Sequence, residues 1–271
     1  VPVAKLFIEG RLDAEVLNPV FQGSPVLQQG GTKGALKSRA RAERLENRVA
    51  AGYLRDRDFD FDPPVDRSTP TIDSTEGGVV LGWRWCRHEI ENYLIDPGIV
   101  CAATAWPLAE IEAAFRQAAR RIRSYEAARW TIGTVRRALP PSFELRTRPE
   151  ELNEIELPQE LGSAAVQTWV VSRIEDHRSR IAAAMDAQTV REFFEDFSAR
   201  FDEDFIADVM NVVCWFSGKD LLAGMNDWLS SRGIENPGAF RALLRDWIIA
   251  NPVRTLELLP EWSRLAQALR T

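Results

Sequence analysis

Between Leu54 and Asp62 the chain reads L-R-D-R-D-F-D-F-D, and Asp56, Asp58 and Asp60 alternate with other residues. Alternation places residues i, i+2 and i+4 on one side of an extended chain. If the segment stays extended, three carboxylates point the same way and repel one another unless a cation lies between them. Hard oxygen ligands of this kind suit Mg²⁺ or Mn²⁺. An isolated D-x-D is also what an ordinary solvated acidic turn looks like, so the residues before it matter. The run V-A-A-G-Y-L over 49–54 is short, apolar and bounded, as a buried strand is. It delivers the acids to a strand end. A further acid, Glu9, follows an earlier run of the same kind, V-A-K-L-F-I over 3–8.

The elements around these acids follow from pattern. Gly10 allows a sharp turn, Asp13 stands where a helix would start, and Leu12, Val16, Leu17 and Val20 form a helical stripe. Pro25-Val26-Leu27 reads as a short second strand. The glycine turn G-G-T-K-G over 30–34 opens a basic helix carrying Lys37, Arg39, Arg41, Arg44 and Arg48. The order β-α-β-α-β predicts a mostly parallel sheet flanked by helices. In such sheets function collects at the carboxyl ends of the strands, where Glu9 and Asp56 both fall. Residues 62–78 read as a polar, proline-bearing loop that overhangs the site. Residues 79–85 return as a strand, with Trp83 and Trp85 as packing residues. From Trp106 the pattern turns helical, with helices expected over 108–123, 163–187, 188–215, 219–231, 238–250 and 253–269. Asn236-Pro237 and Asn251-Pro252 mark turns between them. This predicts an α/β domain over 1–103 and an all-helical region over 104–271.

Composition bounds the function. The 271 residues carry a formal net charge of -6, so nucleic acid would be attracted only by local basic patches. Two such patches lie over 37–48 and 116–148. Cys86, Cys101 and Cys214 are an odd set without C-x-x-C spacing, which predicts reduced, mostly buried thiols and a cytoplasmic setting. With only His88 and His177, zinc is not expected, and His88 reads as a structural hydrogen-bonding residue. No stretch approaches a membrane span, and no basic-plus-apolar leader precedes the first strand.

Taken as a set, E-G-R-L-D (Glu9 to Asp13), G-G-T-K-G (Gly30 to Gly34), D-R-D-F-D (Asp56 to Asp60) and H-E-I-E-N-Y-L (His88 to Leu94) resemble a TOPRIM domain. That is the metal-binding fold shared by topoisomerases, bacterial primases and the OLD (overcoming lysogenization defect) nucleases. The spacing looks most like the compact TOPRIM subunit of PARIS-type anti-phage systems, over about residues 3–100. The resemblance implies roles. Glu9 matches the first-strand glutamate, a metal ligand or proton acceptor, and Asp13 matches the acid of the E-G-x-x-D pattern. Asp56 and Asp58 match the paired aspartates that hold Mg²⁺ (or Mn²⁺). Glu89 or Glu91 would complete a second metal position, the I-E-N pattern favouring Glu91. Lys33 would steady charge growing on a phosphate, Asp60 would be a loop residue, and Ser217-Gly218-Lys219-Asp220 looks like a family feature without an assigned role.

What the resemblance implies for activity is a two-ion endonuclease that cuts RNA such as tRNA, or DNA, as the toxic effector of an anti-phage system. Paired divalent ions activate a water and stabilise the leaving oxygen. Lys37, Arg41, Arg44, Arg120 and Arg123 would track the nucleic-acid backbone. OLD enzymes carry their own ATPase. Here neither Lys33 nor Lys219 lies in a G-x-x-x-x-G-K-[ST] loop, so a separate ABC-type ATPase is the expected partner. The helical region would serve dimerisation, partner docking or nucleic-acid contact, and a homodimer is expected from the usual habit of symmetric assembly. Two other readings stay open: a TOPRIM-like sensor or assembly subunit whose acids bind metal structurally, and nucleotidyl transfer as in primases.

Overall fold

The apolar runs flanking Glu9 and Asp56 become neighbouring strands. In the computed structural model, which describes residues 1–139 and 163–271, β1 (Lys5–Ile8) is followed by α1 (Arg11–Val20), β2 (Val26–Gln29), α2 (Lys33–Glu46) and β3 (Ala51–Arg55). Next come β4 (Thr71–Glu76), β5 (Val79–Arg84), α3 (Glu91–Leu94) and α4 (Pro97–Thr104). The sheet order is β2-β1-β3-β5-β4. β1 pairs in parallel with both β2 and β3, and β3 with β5, while β4 runs antiparallel at the edge. The chain leaves β1 for β2 on one side and returns to β3 on the other. The carboxyl ends of β1 and β3 therefore form a topological switch point, the crevice where open α/β sheets bind ligands.

Burial explains this arrangement. β3 is central, and Ala51, Tyr53 and Leu54 are buried. Phe7, Ala51, Tyr53 and Leu81 pack beneath Leu36 and Ala40 of α2 on one face. The edge strand β2 is largely exposed. Trp83 and Trp85 are buried, as core residues are.

The polar loop expected over 62–78 is only partly a loop, because its second half is β4. The signal was Gly77-Gly78 between two strand-like runs, a two-residue hairpin turn. Both glycines adopt positive φ, 57° and 77°, which residues with a Cβ take up only with strain.

The remaining helices are α5 (Leu108–Ala138), α6 (Ser163–Ala184), α7 (Ala187–Arg200), α8 (Glu203–Ala207), α9 (Val209–Trp215), α10 (Gly218–Gly224), α11 (Asn226–Ser231), α12 (Pro237–Ala250), α13 (Pro252–Leu258) and α14 (Pro260–Arg270). The segment expected as one helix over 188–215 is broken where Asp202 and Asp208 each cap a new helix. The one over 253–269 is broken at Pro260, which lacks the N–H a helix interior needs. The chain divides differently from the expected 1–103 and 104–271. One compact unit joins Val1–Glu126 to Phe201–Thr271, and the other is Ala127–Arg200. In the first, α12 packs on α1, α3 and α4, and Trp262 of α14 stacks at a tilt against Trp85 and Tyr93, with ring centroids 6.0 and 5.4 Å away. All three cysteines are free, with Cys86 and Cys214 buried. Among the described residues no helix is long and apolar enough to cross a membrane. Arg146, Arg148 and the acidic stretch after them lie outside the described residues.

Candidate metal centre

The first wall of the site is the end of β1. Glu9 follows Ile8 directly, and its Oε1 accepts the backbone N–H of Asp56 at 2.9 Å. This bond ties the ends of β1 and β3 together. Asp13 does not start its helix. Gly10 does, and Asp13, one turn in, accepts the Gly10 N–H at 3.1 Å. Its carboxyl is buried, and burial, reinforced by Glu91 and Glu9, pushes its pKa up to about 7.

The second wall departs from the extended picture of D-R-D-F-D. β3 stops at Arg55, and Asp58–Asp60 forms a 3-10 turn. Asp58 lies at φ 45°, in the left-handed region, with its N–H donated to the His88 carbonyl at 2.9 Å. Such backbone is strained for a residue with a Cβ and persists only where surrounding contacts hold it. Arg57 supplies those contacts. It is fully buried and donates to the carbonyls of Cys86 at 3.0 Å and Cys214 at 2.5 Å, and also to Asp58 and Phe61. Asp56 therefore parts from the other two, which share Lys33. Asp60 pairs with Lys33 at 3.1 Å and with Arg55 at 3.0 Å, and Asp58 pairs with Lys33.

Asp56 turns inward. Its Oδ1 is buried and has no hydrogen-bond partner among the described residues. Burial first, then the charges of Asp13, Glu9 and Glu89, raise its pKa well above the usual carboxylate range. Burial likewise raises Glu9.

The third wall follows β5. His88, Glu89 and Glu91 are all buried. One donor atom each from Asp58, His88 and Glu89 lie within 4.8 Å of one another, close enough to hold a metal ion together. Glu89 is anchored from the helical part of the chain. Ser217 Oγ and the Lys219 N–H donate to its Oε1 at 2.9 and 3.1 Å, and Lys219 Nζ to its Oε2 at 2.5 Å. Burial would raise the Glu89 pKa, but the Lys219 charge and hydrogen bonds outweigh it and the net shift is downward. Glu91 lies outside the triad. It faces Lys219 at 3.6 Å and Arg241 at 3.4 Å, and burial and Glu89 raise its pKa.

Asn92 locks this wall. Its side-chain amide donates to the carbonyls of Val213 and Phe216, both at 2.9 Å, and its carbonyl accepts the N–H groups of Glu89 and Gly218. Gly218 must be glycine there, since a Cβ would stand 2.7 Å from the Asn92 nitrogen.

The basic residues expected along a nucleic-acid path stand in different settings. α2 begins with Lys33 at the site and runs toward the opposite end of the sheet. Arg44 donates to the carbonyls of Ala51 and, at 2.9 Å, Val80, near the amino ends of β3 and β5. It is a brace for the sheet. Arg41 pairs with Glu76, and Lys37 is exposed one turn beyond Lys33. Arg120 and Arg123 on α5 share Glu203 at 2.7 and 3.6 Å.

The donor set could hold a metal cation. Orphaned Asp56 Oδ1, mutually repelling carboxylates and a ready triad are what such an ion would satisfy. His88, set aside as structural, belongs to that triad. Its E-x-E-N neighbourhood was legible, but its approach to Asp58 depends on the left-handed turn, which no spacing rule announces. No protein-family model matches the chain, and no curated protein matches it.

Proposed function

We propose that this chain is a metal-dependent phosphodiesterase of the TOPRIM type that cleaves nucleic acid at the carboxyl ends of β1, β3 and β5. The observation that carries the reading is the convergence of Glu9, Asp56, Asp58, His88 and Glu89 from three adjacent parallel strands around the unpartnered Asp56 Oδ1. Asp58, His88 and Glu89 would hold one Mg²⁺ or Mn²⁺, and Glu9 with Asp56 and Asp13 would face a second. When bound, divalent ions supply an activated water and neutralise charge on the phosphate. The chain's own groups do the rest. Glu9 and Asp56 have raised affinity for protons and can accept one from an attacking water. Lys33, beside Asp58, and Lys219, beside Glu89, hold positive charge where negative charge builds on the phosphoryl oxygens. Arg57 and Asn92 fix the backbone carrying the acids.

The wider setting belongs to the same proposal. RNA such as tRNA, or DNA, is the substrate, a separate ATPase holds the enzyme silent, and a homodimer is the working form. The resemblance of four motifs to the PARIS-type subunit supports this. The test is a cleavage panel with total tRNA, single-stranded RNA, and single- and double-stranded DNA, in Mg²⁺, Mn²⁺ or EDTA. Glu9→Ala and Asp58→Ala proteins run beside the wild type. Metal binding is followed in parallel by Mn²⁺ electron paramagnetic resonance. Cleavage that needs metal and fails in both variants is expected. Metal bound without cleavage of any substrate would point instead to the sensor or assembly reading, and loss of metal binding altogether would sink the proposal.

A further inference from the structure

A cleft of about 370 Å³ is lined by Arg11, Glu15, Glu91, Gly238, Arg241 and Arg245, and Glu91 lies two residues from Glu89 of the metal triad. Its walls are α1 and α12, two helices packed on each other within one compact unit. The cleft and the triad share a partition. Lys219 Nζ contacts Glu89 at 2.5 Å on the triad side and Glu91 at 3.6 Å on the cleft side.

The three guanidinium groups have donors to spare. Among the described residues Arg241 makes a single long contact, Nη1 to Glu91 Oε1 at 3.4 Å. Among the described residues Arg11 is held only by an exposed i,i+4 pair with Glu15 at 2.7 Å, and such pairs contribute about 0–1 kcal/mol. Arg245 spends two nitrogens on Asp246 at 2.8 and 2.7 Å and reaches Glu15 only at 3.5 Å. Each guanidinium presents five N–H donors in a planar fork suited to phosphate oxygens. Gly238 brings the amino-terminal turn of the 14-residue α12 to the same cleft, and its dipole favours an anion there.

We infer that this cleft seats a backbone phosphate of the nucleic-acid strand, next to the phosphate undergoing cleavage, with Arg241 and Arg245 as its principal ligands. The inference rests on the nuclease reading and adds the path by which the strand leaves the metal centre. That path runs over α1 and α12, and does not follow α2 or α5. Arg241 exchanges its long Glu91 contact for phosphate, so strand binding and the Glu91–Lys219 partition are coupled.

The test is fluorescence anisotropy with a short labelled single-stranded RNA and a duplex DNA of the same sequence, in EDTA to prevent cleavage, across a salt series. For single strands, each phosphate that the protein no longer neutralises lowers the slope of log K against log salt by about 0.7. Arg241→Ala and Arg245→Ala are expected to lower the slope by about that amount each and to weaken binding roughly tenfold or more. Arg241→Lys should keep the slope. Arg254→Ala, on α13 and paired with Glu257 outside the cleft, should behave as wild type. Both arginines are surface residues, so the variants are expected to melt as the wild type does. If the wild type binds and both alanine variants match it in affinity and slope, the cleft is overturned while the nuclease reading stands. If the wild type binds neither nucleic acid, the nuclease reading falls and takes this inference with it.

Discussion

Asp56 is where the cost of the site is concentrated. A carboxylate whose buried Oδ1 lacks a hydrogen bond, with Asp13, Glu9 and Glu89 nearby, destabilises the metal-free fold. Asp56→Asn keeps the shape and removes the charge. It is expected to raise the melting temperature of metal-free protein and to abolish the rise that Mg²⁺ produces in the wild type, both read by differential scanning fluorimetry. The pH dependence follows from Asp13. Its pKa rises from 3.8 unfolded to about 7 folded, so between those values the folded state holds more protons than the unfolded chain. Stability from this group is present at low pH and is lost as pH rises through the window, by on the order of 4 kcal/mol at most. Glu89, lowered below 4.5, has the opposite sign, but its contribution is lost only on acidification below about pH 4.5. Metal-free wild type should therefore lose stability relative to Asp13→Asn between pH 5 and pH 8. Mg²⁺ should bind more tightly over the same range, because its ligands must shed protons. Parallel pH profiles for the two proteins would contradict the assignment.

At the scale of elements, the acid segment after β5 and the start of α10 at Ser217–Lys219 are held by one amide. Asn92 is fully buried and makes four hydrogen bonds, to Val213, Phe216, Glu89 and Gly218. Asn92→Ala leaves two carbonyls and two N–H groups without partners, at ~1–3 kcal/mol each if they stay buried. Asn92→Asp keeps the acceptor but sets a second carboxylate oxygen against two carbonyls, and should be nearly as damaging. Urea denaturation should show at least ~2 kcal/mol lost in both. A loss below ~0.5 kcal/mol would mean that water replaces the amide.

This contact also marks the limit of what was legible beforehand. Periodicity and glycine punctuation revealed β1, α1, β2, α2, β3 and β5, and with them Glu9 and Asp56 at neighbouring strand ends. These are local signals. The pairing of Lys219 with Glu89 spans 130 residues and rests on Gly218 fitting against Asn92. The Asp58–His88 approach rests on a left-handed turn held by buried Arg57. Neither has a local signature. β4 did have one, the Gly77-Gly78 turn, but Pro63, Pro64 and Pro70 made the segment look like an uninterrupted loop.

For the whole molecule the consequence is that the sheet does not end its fold where composition changes. The shift to helical pattern near residue 103 is real, yet the chain returns. Val3 donates to the Leu269 carbonyl at 2.8 Å, Cys86 to Glu261 at 2.8 Å, and the Tyr93 hydroxyl pairs with Glu261. Glu261 is buried, its pKa pushed up to about 6 by that burial, and with Trp262 it closes the end of the sheet beside Trp85. A fragment of residues 1–103 would expose Trp85 and Tyr93, and aromatic side chains of this kind bury roughly 150–250 Å² each at about 25 cal/mol per Å². It would also lose Ser217 and Lys219 from Glu89. Such a fragment is expected to lack cooperative unfolding, to show red-shifted tryptophan emission and to bind no Mg²⁺, whereas the full chain unfolds cooperatively. A 1–103 fragment that melts sharply and binds Mg²⁺ as the full chain does would show that the sheet completes its own core, and that Lys219 is dispensable to the metal centre.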